Sequence, residues 1–85
     1  MINNNTPPPD DWRRQGQEKY LTGVKFKLKD YKLWSPGWDH DHCEFCGTTL
    51  SLNEGDLNKG YSTEDNYRWI CEPCFNDFNH EFDLE

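Results

Sequence analysis

Apolar and charged positions alternate through the stretch KYLTGVKFKLKDYKLW, with Val24, Phe26 and Leu28 on one side and Lys25, Lys27 and Lys29 on the other. A period of two is that of a half-buried strand. The apolar phase then slips, because Tyr31 and Leu33 continue on odd numbers. A turn or bulge near Lys29-Asp30 is therefore expected, giving a hairpin or a kinked strand, and Gly23 marks a second irregularity. SPGW reads as a turn, with Pro36 fixing φ and Gly37 free to take a positive one. TTLSL is a short β-prone run, NEGDLNKG a loop, and YRWI a second β-prone run that leads into a cysteine pair. Beyond it the period changes: Cys71, Cys74 or Phe75, Phe78 and Phe82 recur at helical spacing. Pro73 suits the first turn of that helix, where a missing N–H costs nothing.

These elements predict a small α+β fold: an N-terminal β segment, a metal-binding hairpin and one C-terminal helix. Residues 1–11 read as a disordered tail, since NNN and PPP offer nothing to bury. Residues 12–85 form the single domain, with the metal-binding part over 38–83. Eighty-five residues leave room for one core only. With 33% hydrophobic and 29% charged residues that core is thin, and a chain of this kind needs a staple. Phe75, Phe78, Phe82, Trp69 and Tyr67 are its expected members. Trp34 and Trp38, on either side of the Pro-Gly turn, are expected to divide between a cover for the metal site and a partner surface.

Charge alters the picture of partners. The formal net charge is -7, but residues 13–33 carry Arg13, Arg14, Lys19, Lys25, Lys27, Lys29 and Lys32 against Glu18 and Asp30 alone. From residue 39 onward twelve acidic residues face two basic ones, Lys59 and Arg68. Overall acidity works against nucleic-acid affinity, which rests on neutralising phosphates, while the lysine strand keeps that alternative open. Its simpler role is a solvated face whose lysines discourage edge-to-edge aggregation. The opening MINNNTPPPDD lacks the apolar run of a signal peptide, and no stretch approaches the ~18 apolar residues of a membrane span. A reducing cytoplasm and no membrane contact are the expectation, and there paired cysteines bind metal more often than they form disulfides.

The four cysteines stand as Cys43-x-x-Cys46, then twenty-four residues, then Cys71-x-x-Cys74. Zinc favours tetrahedral thiolate coordination, and a two-residue gap lets a tight turn aim both sulfurs at one point. Gly47 follows Cys46 where the backbone often needs a positive φ. With Cys71 ending a strand and Cys74 in the first helical turn, the helix N-terminus turns free N–H groups toward the site. One Zn2+ per chain on Cys43, Cys46, Cys71 and Cys74 is expected, iron being the minor competitor. WICEPC also resembles the Cys-x-Pro-Cys of thioredoxin-like redox proteins, but the βαβ pattern of that fold is missing.

A glycine-ended Cys-x-x-Cys knuckle, a hairpin and a helix carrying the second pair resemble a treble-clef, four-cysteine zinc-finger-like domain over roughly residues 38–83. Such domains bind proteins, nucleic acids or lipids, or merely hold a fold. The longer pattern WDHDHCEFC…WICEPCF is also similar to short, uncharacterised bacterial proteins. That resemblance implies ligand roles for the four cysteines alone.

His40 and His42 alternate with Asp39, Asp41 and Cys43, so both histidines fall on the strand side away from the cysteine. Either one replaces a cysteine and opens a catalytic coordination position, or both stay outside a saturated tetrahedral ion. The second is expected, because four thiolates already fill the sphere. HCE echoes the H-x-E of zinc deaminases, but Asp77 stands where the second cysteine of their P-C-x-x-C is required. His80 is expected to face solvent. No nucleophile, base and orienting group assemble beyond the cysteines, so no enzyme is expected. The expected function is a zinc-binding module for protein–protein interaction, an adaptor or inhibitor. The alternatives are a nucleic-acid-binding zinc protein using Lys25, Lys27 and Lys29, and a thiol-redox or metal-handling protein.

Overall fold

The computed structural model describes residues 7, 8, 10–32, 37 and 39–84. The chain forms a one-turn helix α1 (Glu18–Leu21), strands β1 (Lys27–Asp30), β2 (His40–His42), β3 (Thr49–Ser51), β4 (Lys59–Ser62) and β5 (Trp69–Ile70), and helix α2 (Glu72–Phe82). Two antiparallel sheets result: β1-β4-β5, and the hairpin β2-β3. The register sets Leu28 opposite Tyr61, Asp41 opposite Leu50, and Ser62 opposite Trp69. The expected small α+β architecture with a C-terminal helix is therefore present.

The local rules hold best in the second half. β2 buries Asp41 and exposes His40 and His42, as alternation requires. β5 runs directly into Cys71, which caps α2 with an extended backbone, φ -67 and ψ 157. Pro73 lies in the first turn, and Cys74, Phe75, Phe78 and Phe82 form the buried face. His80 is exposed. Gly60 lets β4 pass close to its neighbours: a Cβ there would lie 2.7 Å from Leu50 Cδ2 and 3.0 Å from the Ile70 carbonyl oxygen.

The first half departs from expectation. β1 runs unbroken through Lys29-Asp30, and the phase slip falls earlier, between the buried Phe26 and the half-buried Lys29. The reason is a change of partner. Phe26 N–H donates to the Leu84 carbonyl, whereas Tyr31 N–H donates to the carbonyl of Asn58, the residue just before β4. Leu28 is accordingly 47% exposed rather than buried. α1 interrupts the expected β segment, and β4 begins inside the expected loop. Tyr67, expected in the core, is 54% exposed. Of the expected tail, residues 1–6 and 9 lie outside the described residues, as do Leu33, Trp34, Ser35, Pro36 and Trp38. Pro7 is buried, and Arg14 donates to the carbonyls of Pro7 and Pro8, so contacts with the body begin before Trp12.

The main core contains Leu21, Phe26, Phe45, Ile70, Phe75, Phe78, Phe82 and Leu84 together with Cys43, Cys71 and Cys74. Tyr31, Leu50 and Trp69 form a second cluster. Aromatic stacking joins the elements: Phe45 lies parallel to Phe78 at 4.4 Å, and Tyr61 to Phe75 at 3.7 Å.

Candidate metal centre

Two separate turns build the site. The first follows β2. Cys43 N–H donates to the Thr48 carbonyl and Gly47 N–H returns to the Cys43 carbonyl, closing a knuckle. Gly47 takes φ +79, a conformation an L side chain enters only at a cost. Within the turn, Phe45 N–H and Cys46 N–H point at Cys43 Sγ, at 3.3 and 3.5 Å. The two residues between the cysteines also fix the knuckle to the body. Phe45 stacks on Phe78 of α2. Glu44 N–H donates to the Trp69 carbonyl of β5, and its own carbonyl accepts from the buried Gln17 side chain at 3.0 Å.

The second pair arrives at the end of β5 and the first turn of α2, beside the knuckle because Cys43 bridges Trp69. All four sulfurs lie within 4.8 Å of one another, and Cys46 and Cys71 approach to 3.6 Å. A tetrahedron with ~2.3 Å Zn–S bonds has edges of about 3.8 Å, so this spacing fits a tetrathiolate ion. Among the described residues the cluster holds the four cysteines and no histidine or carboxylate. His40 and His42 point to solvent from β2. The set can therefore hold a metal ion without them.

The site's electrostatics favour a cation. Thiols of Cys71 and Cys74 hydrogen-bond to Cys43 and lower its pKa, while the same contacts raise Cys74 and push Cys71 up to about 12. The cause is mutual: thiolates this close repel, so these three sulfurs favour sharing protons over full ionisation. A divalent cation reverses that balance by replacing the protons.

Arg13 completes the surroundings, and nothing in the local sequence signals it. Its Nη1 donates to Cys74 Sγ at 3.4 Å and to Asp77 at 3.0 Å. Asp11 holds the same guanidinium through Nε and Nη2, and this pairing lowers the Asp11 pKa to about 2. The Arg13 cation lies 4.7 Å from the Phe78 ring centre, and the Arg14 cation 5.3 Å from it. Arg14 also grips Glu81 with both Nε and Nη2. The segment before α1 is thus strapped across the helix that carries Cys74.

Comparison with protein families, curated proteins and solved structures finds no match to this chain. Among the described residues no helix is long and apolar enough to cross a membrane.

Proposed function

We propose that this chain is a non-enzymatic zinc module in which Cys43, Cys46, Cys71 and Cys74 hold one structural Zn2+, and whose surface mediates protein–protein interaction. The observation that carries the metal reading is the convergence of four sulfurs from two distant pairs inside a 4.8 Å cluster. Four soft thiolates in this spacing suit zinc, and four protein ligands leave no open position for substrate. The parts also agree with a treble-clef arrangement: a knuckle at one hairpin, and a second pair at the start of a helix. A thiol-rich site of this kind fits a reducing cytoplasm.

Support for a binding role comes from the surface around Arg68. Its guanidinium lies 4.5 Å from the Tyr20 ring and 5.3 Å from the Tyr67 ring, and these tyrosines are 43% and 54% exposed. Exposed aromatics interleaved with arginine are the residue types that dominate interface energetics. A nucleic-acid role for Lys25, Lys27 and Lys29 has less support, because Lys29 Nζ is spent on the Thr63 carbonyl at 2.8 Å and Asn66 Oδ1 at 2.9 Å. A redox role needs one pair free to cycle, whereas all four sulfurs are drawn together.

Metal analysis of purified protein tests the first half: one zinc per chain is expected, lost in a Cys43→Ser/Cys74→Ser variant. Well under one ion per chain with an intact fold overturns it. Affinity capture from the native host tests the second half. Zinc-loaded protein is expected to retain a specific protein that a Tyr67→Ser/Arg68→Ser variant releases while keeping its zinc. A surface that retains nothing, or retains the same proteins in the variant, removes the interaction reading.

A further inference from the structure

The solvent face of β2 carries a second set of donors that the cysteine centre does not use. His40 and His42 project from the same side of the strand with ring centres 5.0 Å apart. With Gly37, Asp39 and Asp41 they line an open cavity of about 300 Å³. The Asp41 carboxylate is turned inward, where it accepts from the Tyr31 hydroxyl at 2.9 Å. The imidazoles and Asp39 remain at the solvent side, 52% exposed for His40 and 78% for Asp39.

The partners of the two rings decide their chemistry. His40 Nδ1 lies 2.8 Å from Asp39 Oδ1, and His42 Nδ1 lies 3.2 Å from the Gly47 carbonyl oxygen. An aspartate carboxylate such as Asp39 only accepts. A backbone carbonyl also only accepts. With Nδ1 of each neutral ring donating to these acceptors, and the Thr49 hydroxyl 3.4 Å from His42 Nδ1 able to accept as well, the Nε2 lone pairs are the ones offered for ligation. A carboxylate on one imidazole and a carbonyl on the other are the orienting partners that metal-binding histidines use. The separation fits as well. Two imidazoles bound at ~2.0–2.1 Å to one tetrahedral ion have ring centres about 5 Å apart.

We propose that His40 and His42 form a second, surface metal site that takes a divalent transition cation of borderline softness, such as Zn2+, through their Nε2 atoms. Water completes the coordination, so this ion exchanges with solvent more readily than one held by four thiolates, three of them buried. Imidazole nitrogen selects this class over Mg2+ or Ca2+, which require oxygen ligands. The chain's formal charge of -7 adds a general attraction for cations.

The test titrates Zn2+ into protein that already carries its first zinc, following binding by calorimetry and the imidazole nitrogens by NMR. One further ion per chain is expected, with the Nε2 resonances of His40 and His42 moving and those of His80 still. A His40→Gln/His42→Gln variant is expected to lose the second ion and keep the first. Asp39→Asn, which leaves both rings in place, is expected to weaken the second site roughly 10–100-fold. No second ion, a second ion that survives in the double variant, or unmoved Nε2 resonances overturns the proposal. The wild-type nitrogen shifts decide without any variant, so misfolding of a variant cannot hide the answer. Failure of the four-cysteine reading shows separately, as a missing first equivalent.

Discussion

Arg13 donates to Cys74 Sγ at 3.4 Å from a position sixty-one residues away, and Asp11, Asp77 and Phe78 hold its guanidinium there. A zinc tetrathiolate carries a formal charge of about -2, and a fixed cation at one sulfur offsets part of it. Partners outside the coordination sphere typically change metal affinity 10–100-fold when removed. Arg13→Ala is therefore expected to release zinc to a colorimetric chelator roughly 10–100-fold faster. Arg13→Lys keeps the charge without the planar fork and should fall between. Equal release rates for all three proteins would show that the arginine only packs. At this scale the sequence was half readable. The four cysteines and the glycine of the knuckle announce themselves by spacing. Arg13 appears only as one cation among several, because no local pattern tells a residue in one segment which distant sulfur it will meet. Gln17, buried with its amide bridging the carbonyls of Arg13 and Glu44, is hidden for the same reason.

Among the elements, α2 carries the second cysteine pair at one end and a tight stop at the other. Asp83 sits in the left-handed region, φ 56 and ψ 57, and the next N–H, of Leu84, returns to the Asn79 carbonyl at 3.0 Å. That reversal buries Leu84 completely and aims its carbonyl at Phe26 N–H, tying the helix to the start of β1. A β-branched residue enters this conformation poorly, so Asp83→Val should cost about 1–2 kcal/mol, while Asp83→Asn stays near wild type. Urea unfolding of the zinc-loaded proteins measures the difference, and coincident midpoints would contradict the cap. α2, β2, β3 and β5 were legible because periodicity and punctuation decide them locally. β1 was legible as a strand, but its inward face was not. The chain passes from the C-terminal segment to β4 as its hydrogen-bond partner, and that exchange resets which side faces the core. α1 has a single turn and one buried residue, Leu21, too little pattern for any period to register.

For the molecule as a whole, the cysteines are members of the main core rather than an attachment to it. Cys43, Cys71 and Cys74 pack with Phe45, Phe75 and Phe78 in one cluster. Thiolate–zinc binding is worth apparent free energies of ~10–16 kcal/mol, comparable to the ~5–15 kcal/mol by which whole domains are stable. Without a cation, four crowded sulfurs would have to share protons beside a thin interior. Chelation is expected to collapse the amide NMR dispersion of the entire chain, the Tyr31, Leu50 and Trp69 cluster included. A spectrum that stays dispersed after complete metal removal would mean that the aromatic packing suffices alone. The route of that loss is set by one asymmetry. Cys43, Cys71 and Cys74 are buried, whereas Cys46 is only half covered. Among the described residues Cys46 is thus the least covered of the four cysteines toward a chelator, an oxidant or an incoming ion, and alkylation mapped during chelation should mark it before the other three.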